Sequence, residues 1–81
     1  MYPTEYLFIE KENFTRIVGE QIKKLRTEKC NLSQEELGLR CGYDRTYIGA
    51  IERGEKNVSF YAIYKILTVL DVDPTTFFNE I

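Results

Sequence analysis

The sequence predicts an all-α fold, a compact bundle of about five short helices, on two observations. The first is a helix-start pattern repeated three times within about 30 residues: an apolar residue, a capping residue, three others, then an apolar residue. Its copies are Leu32-Ser33 to Leu37, Tyr43-Asp44 to Ile48 and Val58-Ser59 to Ile63. In each, Ser or Asp can accept a hydrogen bond from an orphan N–H of the first turn, and the flanking apolar pair can staple the chain's entry. The second is apolar spacing of three and four residues between Phe14 and Leu25 and again between Ile63 and Leu70.

Residues 1–12 read as an N-terminal extension, because Pro3 blocks regular structure and Tyr6-Leu7-Phe8-Ile9 is too short to classify. The helical domain is expected over 13–81. Asn13 can cap a first helix running to about Glu28, with Phe14, Ile17, Val18, Ile22 and Leu25 inward and Arg16, Lys23 and Lys24 outward. Arg26 and Lys29 fall in its last turn, where cations suit the helix dipole. Ser33 and Glu36 fit a capping box at the start of the second helix. Gly42 can end that helix in a left-handed conformation, and Asp44 starts another almost at once. Two helices joined this tightly, with Gly in the corner, form a helix-turn-helix.

A helical wheel of the segment after Asp44 turns Ile48 and Ile51 inward. It sets Thr46, Gly49, Ala50 and Arg53 on the outer face, flanked by Arg45 and Tyr47. Small residues in mid-helix with long donors at the ends suit close approach to a groove floor; the alternative is an ordinary solvated face. Gly54 caps this helix, and Glu55-Lys56-Asn57 form a polar connector. A fourth helix over 59 to about 70 carries the inward stripe Ile63, Ile66, Leu67 and Leu70, and Pro74 is expected to end it. A last short helix, 75–80, follows. Phe60, Tyr61, Tyr64, Val69, Phe77, Phe78 and Ile81 exceed what so small a domain can bury, and surplus apolar surface marks an interface. Tyr64, Phe77, Phe78 and Ile81 are the expected dimer contacts.

At 81 residues the chain makes one domain at most, near the lower limit for a self-sufficient core, which favours a second subunit. There is no His and only two Cys, whereas a structural zinc site takes four such ligands, so no metal or cofactor is expected. Cys30 and Cys41 read as reduced, half-buried thiols. No nucleophile–base pair and no Gly-rich phosphate loop is recognisable, so an enzyme is not expected. No apolar run approaches the ~20 residues of a membrane span and no leader pattern opens the chain, which implies a cytoplasmic protein without membrane contact. The net charge of −2 argues against an indiscriminate polyanion binder. The middle, residues 16–56, is nevertheless +2 between flanks of −2 each, which suits a molecule meeting DNA with one face.

From Ile22 to about Phe78 the chain resembles bacterial helix-turn-helix regulators of the phage-repressor type (lambda-repressor-like). The resemblance is carried by Leu32-Ser33-Gln34, Leu37, Gly42, Ile48, Ile51-Glu52, Gly54, Ile63, Ile66 and Leu70-Asp71-Val72. Within that group, Asp44-Arg45-Thr46-Tyr47-Ile48 and Ile51-Glu52-Arg53 are similar to the controller proteins of type II restriction–modification systems. Two positions depart from the pattern: Gly38 stands where Ala is usual, and Gly49 where Ser often follows the Ile.

The resemblance implies that Arg45, Thr46 and Tyr47 read bases, Arg being the commonest partner of guanine. It implies phosphate contacts from Ser33, Gln34, Arg53, Lys56 and Asn57, and a structural ion pair between Arg26 and Glu52; the alternative for Arg26 is direct contact with DNA. It further implies a homodimer on palindromic double-stranded DNA, control of its own and an endonuclease promoter by activation and repression, RNA polymerase as a further partner, and no small-molecule ligand. The rival readings are a phage-type repressor or a DNA-binding antitoxin of the same architecture and, from another class, a protein-interaction module that uses the aromatic surface without DNA.

Overall fold

The computed structural model describes residues 9–81, so most of the expected N-terminal extension lies outside the described residues. Five helices follow in order: α1 (Lys11–Lys24), α2 (Gln34–Cys41), α3 (Arg45–Glu52), α4 (Phe60–Val69) and α5 (Pro74–Asn79). A π-helical turn, Leu25–Lys29, prolongs α1. There is no strand among the described residues, and the all-α bundle matches the sequence expectation.

All three repeated caps form. The Ser33 hydroxyl accepts from the Glu36 N–H at 3.0 Å while the Glu36 carboxylate accepts from the Ser33 N–H at 2.9 Å, a complete capping box. These bonds to the ionised form hold the Glu36 carboxyl below its ordinary pKa. Asp44 accepts from Thr46 N–H at 3.2 Å, and Ser59 from Ala62 N–H at 3.1 Å. A fourth cap, Asp73 accepting from Thr76 N–H at 3.2 Å, starts α5 with Pro74 in its first turn.

Pro74 therefore opens α5 instead of ending α4, because a missing N–H is harmless in a first turn. The preceding helix stops at Val69, and Asp71 turns the chain with φ of 57°. The first helix also starts earlier than expected: Glu10 occupies the N-cap position without a side-chain hydrogen bond, and Asn13 lies inside the helix.

Val18 and Ile22 of α1, Leu37 and Cys41 of α2, Ile48 and Ile51 of α3, and Ile63, Ile66, Leu67 and Leu70 around α4 form one buried cluster. Cys30 and Cys41 are free thiols, and burial pushes the Cys41 thiol up from its ordinary pKa. Phe77 completes this cluster and is 1% exposed. The expectation that Phe77 lies on the surface is corrected: its ring is buried in the core and stands edge-on to Phe78 at 5.1 Å. Spacing alone could not assign the inward side of a helix of six residues. Phe78 is 39% exposed, and Ile81 packs half-buried against the cluster.

Two glycines set how closely helices approach the α2–α3 corner. A β-carbon on Gly19 of α1 would press on the Ile51 carbonyl oxygen and come within 2.7 Å of the Glu52 carbonyl oxygen. A β-carbon on Gly38 would press on the Tyr43 carbonyl oxygen, so the Ala usual among similar regulators would not fit this corner unchanged. The corner itself turns through Gly42 at φ 79°, and Tyr43 N–H donates back to the Gly38 carbonyl at 2.8 Å.

Because backbone, not a flexible side chain, faces Gly19, a Gly19→Ala substitution should force α1 away from α3. The expected loss is about 1–3 kcal/mol, offset in part by Ala's better helix propensity, and urea unfolding of the two chains measures it.

Candidate nucleic-acid interface

Arg26 is a charge in an apolar stripe: it lies one turn beyond Ile22 and is 7% exposed. Its guanidinium grips the Glu52 carboxylate with two bonds, Nε to Oε2 at 2.6 Å and Nη2 to Oε1 at 2.9 Å. Nη1 donates to the Leu32 carbonyl at 2.7 Å. A burial this deep is tolerated because both ions are fully engaged, and among the described residues no buried side-chain polar atom lacks a partner. The structural pairing of Arg26 with Glu52 is therefore present, and each guanidinium nitrogen of Arg26 donates to a partner inside the fold.

The Glu52 carboxylate accepts a third hydrogen bond, from a partner the sequence did not suggest. The Gln34 Nε2 donates to Glu52 Oε1 at 3.0 Å, joining the first residue of α2 to the last of α3. The Gln34 amide is half-buried and lies beside Gly49: a β-carbon there would sit 3.5 Å from Gln34 Oε1, 3.6 Å from Nε2 and 3.2 Å from Arg53 Nη1.

Gly49 and Ala50 are both buried, which corrects their expected outward position. For Gly49 the reason is visible, since side chains of Gln34 and Arg53 cover it. A wheel of one helix cannot register a neighbour's side chains crossing it. The outward surface of α3 is accordingly narrower than expected.

That surface is headed by Arg45 and Thr46, both exposed. Arg45 forms no ion pair among the described residues, so its guanidinium is free to meet a partner. The Asp44 cap fixes the first turn from which both project. Tyr47 is half-buried, its ring edge-on to Tyr43 with centroids 4.9 Å apart. The Lys65 ammonium sits 4.4 Å above the Tyr43 ring and steadies that pair from α4.

Of the expected phosphate donors, Ser33 is exposed, and its oxygen, accepting from Glu36, leaves its O–H to donate. Lys56 and Asn57 are exposed on the connector. Arg53 is exposed too but is not free. Its Nε and Nη2 donate to the two Glu55 oxygens at 2.8 and 3.1 Å. This pairing raises the Arg53 pKa and holds the Glu55 carboxyl below its ordinary value, the hydrogen bond being the main cause of both. The only sequence sign of it was an acidic residue two places after Arg53.

The structure thus brings Ser33, Gln34, Arg45, Thr46 and Arg53 onto the ends of two adjacent helices. Tyr64, at 56% exposure, lies apart from them on α4, stacked with Tyr61 at 6.3 Å. Phe60 beside them is 90% exposed. Among the described residues no group of carboxylates and thiols could hold a metal ion, and no helix is long and apolar enough to cross a membrane.

Comparison with known proteins bears on this geometry. A family described as "Helix-turn-helix" matches residues 22–77. The control protein C.BamHI of Bacillus amyloliquefaciens is 44% identical over 62 residues, covering 76% of each chain. The crystal structure of the restriction-modification controller protein C.AhdI from Aeromonas hydrophila is 42% identical with a TM-score of 0.74, covering 79% of this chain and 96% of the other. The restriction-modification controller protein C.Esp1396I, a tetramer in complex with its natural 35 base-pair operator, is 36% identical with a TM-score of 0.73, covering 82% of this chain and 86% of that one.

Arg26→Ala would leave the Glu52 carboxylate buried without its ion partner. A loss of about 3–5 kcal/mol is expected, read as a large drop in the urea midpoint, whereas an unchanged midpoint would show the pair to be dispensable.

Proposed function

The chain belongs to the helix-turn-helix family and, within it, to the restriction–modification controller proteins, and from that premise we propose how its surface works as a sequence-specific DNA-binding regulator. The observation that carries the reading is the exposed head of α3, where Arg45 and Thr46 project from a capped turn and the Arg45 guanidinium forms no ion pair among the described residues. In this reading α3 enters the major groove and Arg45 and Thr46 reach base edges. Tyr47, held against Tyr43, offers only its outer edge, which suits a thymine methyl or a sugar. Ser33 and Gln34 at the start of α2, Arg53 after α3, and Lys56 and Asn57 on the connector contact phosphates on either side.

A dimer sets two copies of α3 about 34–36 Å apart, one turn of the duplex, on a palindromic operator. The aromatic face of α4 with Phe78 and Ile81 supplies the contact, Tyr64 being 56% exposed on it. Phe77 belongs to this account only indirectly, as the core residue that holds α5 in place. The operator lies upstream of the protein's own gene and that of an endonuclease. Binding there activates at low occupancy through contact with RNA polymerase and represses when further copies bind. That order delays a nuclease until methylation has protected the host DNA.

Arg45→Ala should leave the unfolding transition in place and relax discrimination at one base by about 1–3 kcal/mol. Titrating operator and scrambled duplexes at two salt concentrations reads this directly. Undiminished discrimination removes Arg45 from the reading head, and an absence of salt dependence argues against DNA binding altogether. Tyr64→Glu should shift the protein toward monomer in sedimentation at unchanged helix content; an unaltered profile takes the α4 face out of the dimer.

A further inference from the structure

Gln34 stands among the phosphate donors, yet its amide nitrogen is turned inward onto a carboxylate. An ionised carboxylate is acceptor-only, so it selects one of the two flips of the amide: nitrogen toward Glu52, oxygen away. The reverse flip would set the amide oxygen against Glu52 Oε1. An amide nitrogen carries two N–H groups at a wide angle, and only one is used by Glu52. The second is left pointing elsewhere with its direction already fixed.

Three features of the surroundings make that fixation possible. Arg26 holds the carboxylate in place with two bonds and neutralises it, so the charge behind Gln34 does not repel a phosphate in front of it. The carboxylate is 2% exposed, so water does not compete for it. Gly49 has no side chain, and the Gln34 amide occupies the space beside its α-carbon. The atoms nearest a β-carbon at position 49 all belong to the ends of flexible side chains, Gln34 and Arg53. A larger residue there would therefore displace the half-buried Gln34 amide, whereas the exposed Arg53 can turn outward with its Glu55 pair kept, and the backbone stays where it is.

We infer that Glu52 and Gly49 are positioning residues for DNA binding: the buried carboxylate aims the Gln34 amide, across a slot opened by the missing side chain at position 49, so that its second N–H meets a backbone phosphate already oriented. A donor fixed beforehand loses less freedom on binding than one that must be ordered by the DNA. The carboxylate touches no DNA in this arrangement and acts through Gln34 alone. The inference rests on the DNA-binding reading above and adds to it the means by which one donor is held.

The test is a double-mutant cycle on affinity for a duplex selected from a random pool by the wild-type chain. Gly49→Val fills the slot while keeping Arg26 and Glu52, and Gln34→Ala removes the donor. Each should weaken binding by about 10-fold while a cooperative unfolding transition is retained, as for loss of one hydrogen bond to a charged group. The combination should weaken it no further than Gln34→Ala does, because both changes remove one contact. In the wild type one Gln34 side-chain amide proton should exchange slowly in the NMR spectrum, and Gly49→Val should abolish that protection.

Multiplicative losses in the cycle overturn the inference, as does full affinity in Gly49→Val. Non-additivity with Arg53→Ala in place of Gln34→Ala overturns it too, since the slot would then serve Arg53. A wild-type chain that selects no duplex removes the DNA-binding reading itself, an outcome distinct from these.

Discussion

The buried pairing of Arg26 with Glu52 is the interaction on which the rest of the structure depends. One carboxylate gathers the end of α1 through Arg26 and the start of α2 through Gln34, and it is itself the last residue of α3. The same guanidinium reaches the Leu32 carbonyl, and the Leu32 N–H returns a bond of 2.9 Å to the Arg26 carbonyl, so the connection from α1 to α2 is closed from both sides. Burying two ions in so small a core adds little net stability, because desolvation consumes most of the attraction. Its value lies in geometry. A planar fork against a carboxylate admits one arrangement, whereas apolar side chains of equal volume would let the helices slide.

Direction and spacing around the corner are set by local chemistry once this pair is in place. The cap residues Ser33 and Asp44 each start a helix at a defined residue, so the outward heading of Arg45 and Thr46 follows from where α3 begins. Gly42 turns the backbone, and Gly38 lets the Tyr43 carbonyl lie against α2. Gly19 does the equivalent for α1, admitting the carbonyls of Ile51 and Glu52 and so bringing the carboxylate within reach of Arg26. Small residues thus do for the backbone what the ion pair does for the side chains: they remove the freedom of one helix to shift against the next.

What could be read from the sequence divides along the same line. Caps, stripes and the left-handed corner depend on residues within one turn of each other, and these are legible: Ser33, Asp44, Ser59, Gly42, Val18 and Ile22 of α1 and the inward face of α4 stand where local pattern puts them, whereas Phe14, expected inward, is 38% exposed at the start of α1. The partnership of Arg26 with Glu52 was legible only through family resemblance, since no local rule links residues 26 positions apart. Features that require knowing which surfaces meet were missed. Phe77 was assigned to the outside because a helix of six residues offers too few positions to define a face. Gly49 falls on the outer side of the helical wheel, but the Gln34 amide lies across it. Pro74 looks like a stop by local pattern, whereas the chain uses it as a start, a choice that turns on the Asp73 cap before it.

The charge of the DNA-binding face follows from these constraints as well. With a formal net charge of −2, the chain cannot rely on long-range attraction to hold a polyanion. The donors near the recognition helix are partly committed in the free molecule: Arg26 wholly to the core, Gln34 by one N–H to Glu52, and Arg53 to Glu55. The Arg53–Glu55 pair is exposed, and an exchange of its carboxylate for a phosphate is nearly balanced, because exposed pairs are weak. An arbitrary stretch of duplex therefore gains little from any single contact. On the proposed reading, a matching site engages Arg45 and Thr46 in the groove together with the phosphate donors, in both subunits at once. Low net charge and pre-engaged donors disfavour indiscriminate binding, so that most of the affinity must come from fit to the operator.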